Sequence, residues 1–213
     1  MGATGVVYAF EPLGTARRYC MANAVLNDLH NVTVLPYGLW DGKVDLPIYN
    51  PVNFIGGAFV VPDGTPYDEA NVEHIQCVAL DSLIADGEVV LPGWRLMKID
   101  IEGAELHALR GMQSAIAQHR PHILVELNTS TLAIHGSTGR ALLELLDELG
   151  YSVAALPAPS IAAEFHNFRR VDVGPASEPY AIDDREAFLE LVTALDAKAA
   201  PAQPVDLLAI PRD

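Results

Sequence analysis

Short apolar, β-rich runs alternate with stretches of helical period along this chain, and that alternation restricts the fold more than any other feature. Val6-Val7-Tyr8-Ala9-Phe10 is a continuous apolar run closed by Glu11-Pro12, which reads as a strand covered on both faces. From about Thr15 to Leu29 the period turns helical, with Tyr19, Ala22 and Leu26 on one side. Val32 to Leu35 is a second strand, leading into Pro36-Tyr37-Gly38-Leu39-Trp40. Leu96 to Ile101 is another, and Glu102 opens a helix to about His119 with Leu106, Leu109, Met112 and Ile116 on its apolar face. His122 to Leu127, Tyr151 to Leu156 and Val205 to Ile210 are further strands. A leucine-faced helix closed by Gly150 and an acidic helix over 183–198 separate them. Such alternation predicts a single α/β domain over 1–213 with a mostly parallel sheet and helices on both faces.

Residues 43–80 are the least legible stretch. Lys43 to Tyr49 alternates weakly, 53–57 reads as a flexible loop, and Val78 to Ile84 reads as a strand end with a short helical turn. A loop this long in a compact domain is more often functional than idle.

Composition narrows the partners. Half the residues are hydrophobic, enough for a core, and the formal charge is −15. A chain this acidic repels phosphate backbones and anionic lipid surfaces, so neither nucleic acid nor a membrane is an expected partner. Cys20 and Cys77 have no zinc-ligand spacing and make no disulfide framework, and the seven histidines lack H-x-x-x-H spacing, so no metal site is expected. No apolar run reaches the roughly 20 residues of a membrane span. The first residues lack the basic and apolar regions of a signal peptide. A reduced, cytoplasmic protein is the expectation.

Ligands of open parallel sheets bind beyond the carboxyl ends of the strands. Glu11, the Asp100/Glu102 pair and Glu126 all fall there. A carboxylate such as Glu11 can accept two hydrogen bonds from the vicinal hydroxyls of a ribose, though many strands end in an acidic residue merely for solubility. Lys98, Asp100 and Glu102 alternate onto one side of an extended segment. Lys98 and Asp100 could form a structural ion pair, or Asp100 could orient and deprotonate a substrate hydroxyl. Glu102 could instead cap the following helix. His135 could assist proton removal or be a solvated loop residue. Trp40 and Phe54 could wall a ligand or belong to the core, and Glu126 with Asn128 could line a substrate pocket or simply end a strand.

Tyr8-Ala9-Phe10-Glu11-Pro12, Asn23 and Asn31 around the first helix, and the block Lys98-Ile99-Asp100-Ile101-Glu102-Gly103-Ala104-Glu105 together resemble the FkbM family of S-adenosylmethionine-dependent methyltransferases. Leu80-Asp81-Ser82-Leu83, Gly150-Tyr151 and the closing 207–211 stretch follow that family in order and spacing. The resemblance implies a Rossmann-like class I methyltransferase sheet and methyl transfer from S-adenosyl-L-methionine to a hydroxyl oxygen of a small molecule, sugar or natural product. It also implies that Glu11 holds the cofactor ribose, with Pro12 beside it, and that Gly38, Leu39 and Trp40 lie near the adenine. Asp100 and Glu102 are the candidate catalytic residues, and Glu11 and Asp100 are expected to face one crevice. That fold places a strand and a glycine-rich turn ahead of the F-E-P strand, where only Met1 to Gly5 stand here. The sheet is therefore expected with its first strand missing, with weakened cofactor binding and exposed edges that favour a homo-oligomer. Two other readings stay open: a non-catalytic interaction protein that has lost the cofactor, and a nucleotide-dependent oxidoreductase, since Glu11 would serve NAD equally.

Overall fold

In the computed structural model, residues 5–50, 57–62, 68–156, 180–181, 185–197 and 204–212 are described. Phe54, His166 and most of the Pro/Ala stretch at 199–204 lie outside them. The chain divides into two compact units: residues 1–91 with 107–112, and residues 92–106 with 113–213.

In the first unit, β1 (Val7–Phe10) pairs in parallel with β2 (Val32–Leu35), Val7 opposite Val32 and Phe10 opposite Leu35. Between them runs α1 (Gly14–Leu26). The Arg17 guanidinium donates to the carbonyl oxygens of Glu11 and Pro12 at 3.1 and 2.9 Å, tying the turn after β1 to the helix. Leu13 and Ala16 are its inward residues, whereas Val25 and Leu26 stand 76% and 80% exposed. A second sheet has the order β3-β6-β4-β5, from β3 (Gly38–Leu39), β4 (Val44–Tyr49), β5 (Phe59–Val60) and β6 (Val72–Val78). β3 is parallel to β6, and β4 is antiparallel to both β5 and β6. Leu13, Ala16, Ile48, Ile75 and Cys77 form this unit's core, with Trp40, Val44 and Leu46 packed against them. A short helix, α2 (Leu80–Ala85), follows β6 and buries Leu80 and Leu83.

The second unit is built on a sheet of order β10-β9-β11-β8-β7, from β7 (Leu96–Ile99), β8 (His122–Leu127), β9 (Tyr151–Ala155), β10 (Tyr180–Ala181) and β11 (Val205–Pro211). β7 and β8 are parallel, with Ile99 opposite Val125. β11 enters antiparallel between β8 and β9, and β10 is antiparallel to β9.

These pairings correct the expectation of a mostly parallel sheet: the two larger described sheets are mixed, and only the β1–β2 pair is wholly parallel. Parallel pairing survives where a helix or a long excursion separates two strands. Antiparallel pairing comes from the β4–β6 excursion and from the last strand, which turns back between two strands that share a direction.

The helix expected from Glu102 to His119 is two helices, α3 (Glu105–Arg110) and α4 (Gln113–His119). The break falls at Gly111, where a Cβ would meet the Trp40 carbonyl oxygen at 1.8 Å and whose own carbonyl accepts from Asp81 N–H at 3.0 Å. Only glycine admits that approach, and the helix gives way to it. α5 (Thr129–Ile134) and α6 (Gly139–Glu148) link β8 to β9. α6 is capped by Thr138 Oγ1 on Ala141 N–H at 3.0 Å, and the Asp196 carboxylate accepts from the N–H groups of Gly139 and Arg140. It closes at Gly150, whose φ of +80° suits glycine. The Arg120 guanidinium then donates to the Leu149, Gly150 and Arg212 carbonyls and lies over the Tyr151 ring. α7 (Arg185–Asp196) buries Phe188, Val192 and Leu195 and leaves Glu186 and Glu190 on its solvated side. Among the described residues no helix is long and apolar enough to cross a membrane.

Candidate functional site

Two strand ends carry the residues singled out by the sequence, one in each unit. At the end of β1, Glu11 is fixed from both sides of its backbone and side chain. Its N–H donates to the Leu35 carbonyl at 3.0 Å, continuing the β1–β2 ladder, and its Oε1 accepts from Leu13 N–H at 2.9 Å. Among the described residues the second oxygen has no hydrogen bond. Burial raises the pKa of this carboxyl above the usual carboxylate range, opposed by the Leu13 N–H and the Arg17 charge and reinforced by Glu73. A half-buried carboxylate with one oxygen locked and one open is a hydrogen-bond acceptor of fixed direction, which suits a diol. Pro12 contributes its carbonyl to Arg17 and ends the strand.

Gly38 and Leu39 form β3 and spend their backbone on the β6 ladder. A Cβ at Gly38 would stand 2.6 Å from Cys77 Sγ, so packing alone requires glycine here. Trp40 stacks on His107 with ring centroids 3.9 Å apart and planes 6° from parallel, and His107 Nδ1 lies 2.9 Å from Asp41 Oδ2. One face of the indole is thus covered by protein. No spacing rule would have found this Trp40–His107–Asp41 group, because His107 lies 66 residues beyond Asp41 along the chain.

In the second unit, β7 ends at Ile99 and delivers Asp100 to the strand's carboxyl end. Lys98 Nζ meets Asp100 Oδ2 at 3.0 Å, with the side chains 54% and 39% exposed, so the ion pair foreseen as one reading is present. It raises the Lys98 pKa, chiefly through that hydrogen bond. Glu102 follows with φ +54°, a left-handed conformation that is uncommon outside glycine, asparagine and aspartate, and Gly103 with φ +102°. The turn is forced by contact: a Cβ on Gly103 would lie 2.1 Å from the Thr131 carbonyl oxygen.

Capping of this loop falls to Glu105 rather than to Glu102. Glu105 is 1% exposed, and its Oε1 accepts from the Ile101 and Gly103 N–H groups at 3.0 and 3.2 Å. Burial raises its pKa against those backbone hydrogen bonds. Glu102 is raised by burial first, then by the charges of Asp100 and Glu105.

Glu126, on β8 one residue past the partner of Ile99, belongs to the same group of carboxylates. Burial first, then Asp100, Glu102, Glu105 and Asp206, push it up to about 7. Asn128 serves structure: its Oδ1 accepts from Ser130 and Thr131 N–H groups and starts α5. The His135 ring lies against Gly103, where a Cβ would be 2.9 Å from its Cδ2. Among the described residues no three His, Cys, Asp or Glu side chains are grouped to hold a metal ion.

No curated protein sequence matches the chain. Among solved structures, the methyltransferase FkbM from Methylobacillus flagellatus KT aligns at 19% identity and a TM-score of 0.42, covering 70% of this chain and 32% of that one. The chain thus spans about a third of the length of that relative. The family model described as the methyltransferase FkbM domain matches residues 1–153, nearly three quarters of the 213 residues and including both strand ends. The chain belongs to the FkbM methyltransferase family.

Proposed function

We propose that this chain takes part in methyl transfer from S-adenosyl-L-methionine to a hydroxyl oxygen of a small molecule. The observation that carries the reading is the family match over residues 1–153, which takes in both Glu11 and Asp100. When bound, the cofactor supplies an electrophilic methyl group on a sulfonium, so little acid–base chemistry is asked of the protein.

Glu11 fits the ribose end. Its open oxygen, with the other held by Leu13 N–H, can accept from vicinal hydroxyls without reorganising. Gly38, Leu39 and Trp40 remain the proposed adenine side, although their backbone and one indole face already serve the fold. Asp100 orients the acceptor hydroxyl through the carboxylate oxygen not engaged by Lys98 and receives its proton. Glu102 shapes the turn beside it, and its charge adds to the causes that raise the Glu126 pKa. The part of the protein that works is proposed to be one domain, in a cytoplasmic setting and with self-association open to test.

Titration calorimetry with S-adenosylmethionine tests the cofactor half. Saturable binding that Glu11→Gln weakens about tenfold is expected, the size of one charge-assisted hydrogen-bond pair. Binding unaffected by that substitution would remove Glu11 from the site, and absence of saturable binding would overturn the reading for this chain.

A further inference from the structure

Tyr19, Ala22 and Leu26, the stripe that the helical period marks on the first helix, stand in solvent rather than on their unit's core. α1 is anchored by Leu13 and Ala16 at its start, and from Arg18 to Leu26 every residue but Ala24 is exposed. Its end is fixed by the backbone: the Asp28 N–H, at a residue with φ +53°, donates to the Val25 carbonyl at 3.1 Å, and the Leu29 N–H donates to the Ala24 carbonyl at 2.9 Å. Tyr19, Met21 and Leu29 are 61, 52 and 47% exposed, beside the still more open Val25 and Leu26. Five of the eleven large apolar side chains exposed among the described residues thus fall within positions 19–29, a patch rather than a scatter. A helix of 13 residues is marginal in water unless a packed face supports it.

Area and charge say what covers this face. Taking about 60–120 Å² for an aliphatic side chain and about 200 Å² for tyrosine, the five exposed fractions offer on the order of 400 Å² of apolar surface per copy. Paired with itself, at the roughly 65% apolar share of homodimer interfaces, the patch makes an interface of about 1,200 Å². That clears the roughly 1,000 Å² a specific contact needs and belongs with the weaker ones. From Pro12 to Asn27 the chain carries Arg17 and Arg18 and no acidic residue, although its net charge is −15. Two copies can therefore meet here without setting carboxylate against carboxylate.

A face used by a two-fold axis must complement itself. Antiparallel alignment with Ala22 against the partner's Leu26 also sets Tyr19 against the partner's Leu29, so a small side chain receives a large one in the middle of the seam. Each Arg18 then lies at the end where the partner's Asp28 stands, and the two arginines are about 18 Å apart along the axis.

We propose that the chain forms a two-fold homodimer through the exposed face of α1, with Tyr19, Ala22 and Leu26 as an antiparallel helix–helix seam. The contact is a helix face and not a strand edge, and it stands without the methyl-transfer reading.

Sedimentation velocity of the whole chain from about 1 to about 200 μM, without cofactor, tests it. A reversible dimer of twice 22.9 kDa is expected, with a dissociation constant on the order of 10 μM. Leu26→Lys should weaken it about tenfold or more. Leu26 is 80% exposed in the single chain, so the fold survives the change, which circular dichroism checks. Leu96→Lys, at an exposed site on β7 in the second unit, should leave the constant within about twofold. Ala22→Glu should also dissociate the dimer, and mixing it with Leu26→Lys should restore a dimer holding one copy of each, because the seam sets these two positions against each other. Monomers at every concentration, a dimer that Leu26→Lys leaves intact, a dimer lost through Leu96→Lys, or a mixture that stays monomeric would overturn the proposal. A monomer that attaches through Leu26 to phosphatidylglycerol vesicles would also overturn it and give the face to a lipid surface. Because mass is read without cofactor, failure to bind S-adenosylmethionine counts against the methyl-transfer reading alone.

Discussion

Glu126→Gln should make the protein more stable, and increasingly so as pH rises from 5 to 8. The carboxyl ionises near 4.5 in an unfolded chain and at about 7 in the fold. Between those values the folded state holds a proton that the unfolded state has lost, so stability falls as pH rises through the interval and levels off above it. At about 1.36 kcal/mol per pH unit, the full penalty at pH 8 is about 3.4 kcal/mol, and at pH 5 about 0.8. Glu126 is only half-buried, and solvent screening reduces these to about 1.5 and about 0.4 kcal/mol. Glutamine keeps the shape and one acceptor oxygen but never carries the charge. Urea unfolding of both proteins should therefore give a stability difference that grows by about 1 kcal/mol from pH 5 to pH 8, with unchanged m-values. A difference of equal size at both pH values would refute the reasoning, because it would mean that Glu126 matters through packing and not through a buried charge.

Gly103→Ala should be severe, because the new Cβ would lie 2.1 Å from the Thr131 carbonyl oxygen at a φ of +102°. A loss of about 3 kcal/mol or more, read from thermal unfolding, is expected. Glu105→Ala should cost about 2–5 kcal/mol by stranding the Ile101 and Gly103 N–H groups, whereas Glu105→Gln should stay within about 1 kcal/mol, since its amide oxygen can accept both. Equal losses for the two would contradict the capping role. Arg120→Met keeps most of the stem but removes the guanidinium from the Leu149, Gly150 and Arg212 carbonyls. It should speed amide exchange at the end of α6 and lower stability by about 1–3 kcal/mol.

Legibility in the sequence followed how local each cause is. Val32–Leu35 and His122–Leu127 were readable to the residue because apolar β-branched runs and flanking turn residues are local signals. The β4–β6 excursion was not. Its strands pair through contacts such as Val44 opposite Cys77 that have no short-range mark, and its outer positions are polar enough to resemble loop. The break at Gly111 was equally hidden, since the Trp40 carbonyl that requires it lies 71 positions earlier in the chain. α5 carries little local signal because Thr129-Ser130-Thr131 are poor helix formers, and the helix depends on its Asn128 cap.

The same division runs through the candidate site. The K-x-D-x-E-G-x-E block announces its carboxylates, but their roles come from depth, which spacing does not encode. Asp100 is ion-paired and open to solvent, Glu105 is buried with one oxygen on the backbone, and Glu102 bends the chain. Glu126 joins them only because two strands offset by 26 positions run side by side, with Leu96 facing His122 and Ile99 facing Val125. Four acids that look interchangeable along the chain are thus sorted by the sheet into an exposed pair partner, a loop-shaping residue, a cap and a proton holder. The last of these, the one outside the motif, owes its raised pKa first to burial and only then to the acids the sheet sets around it.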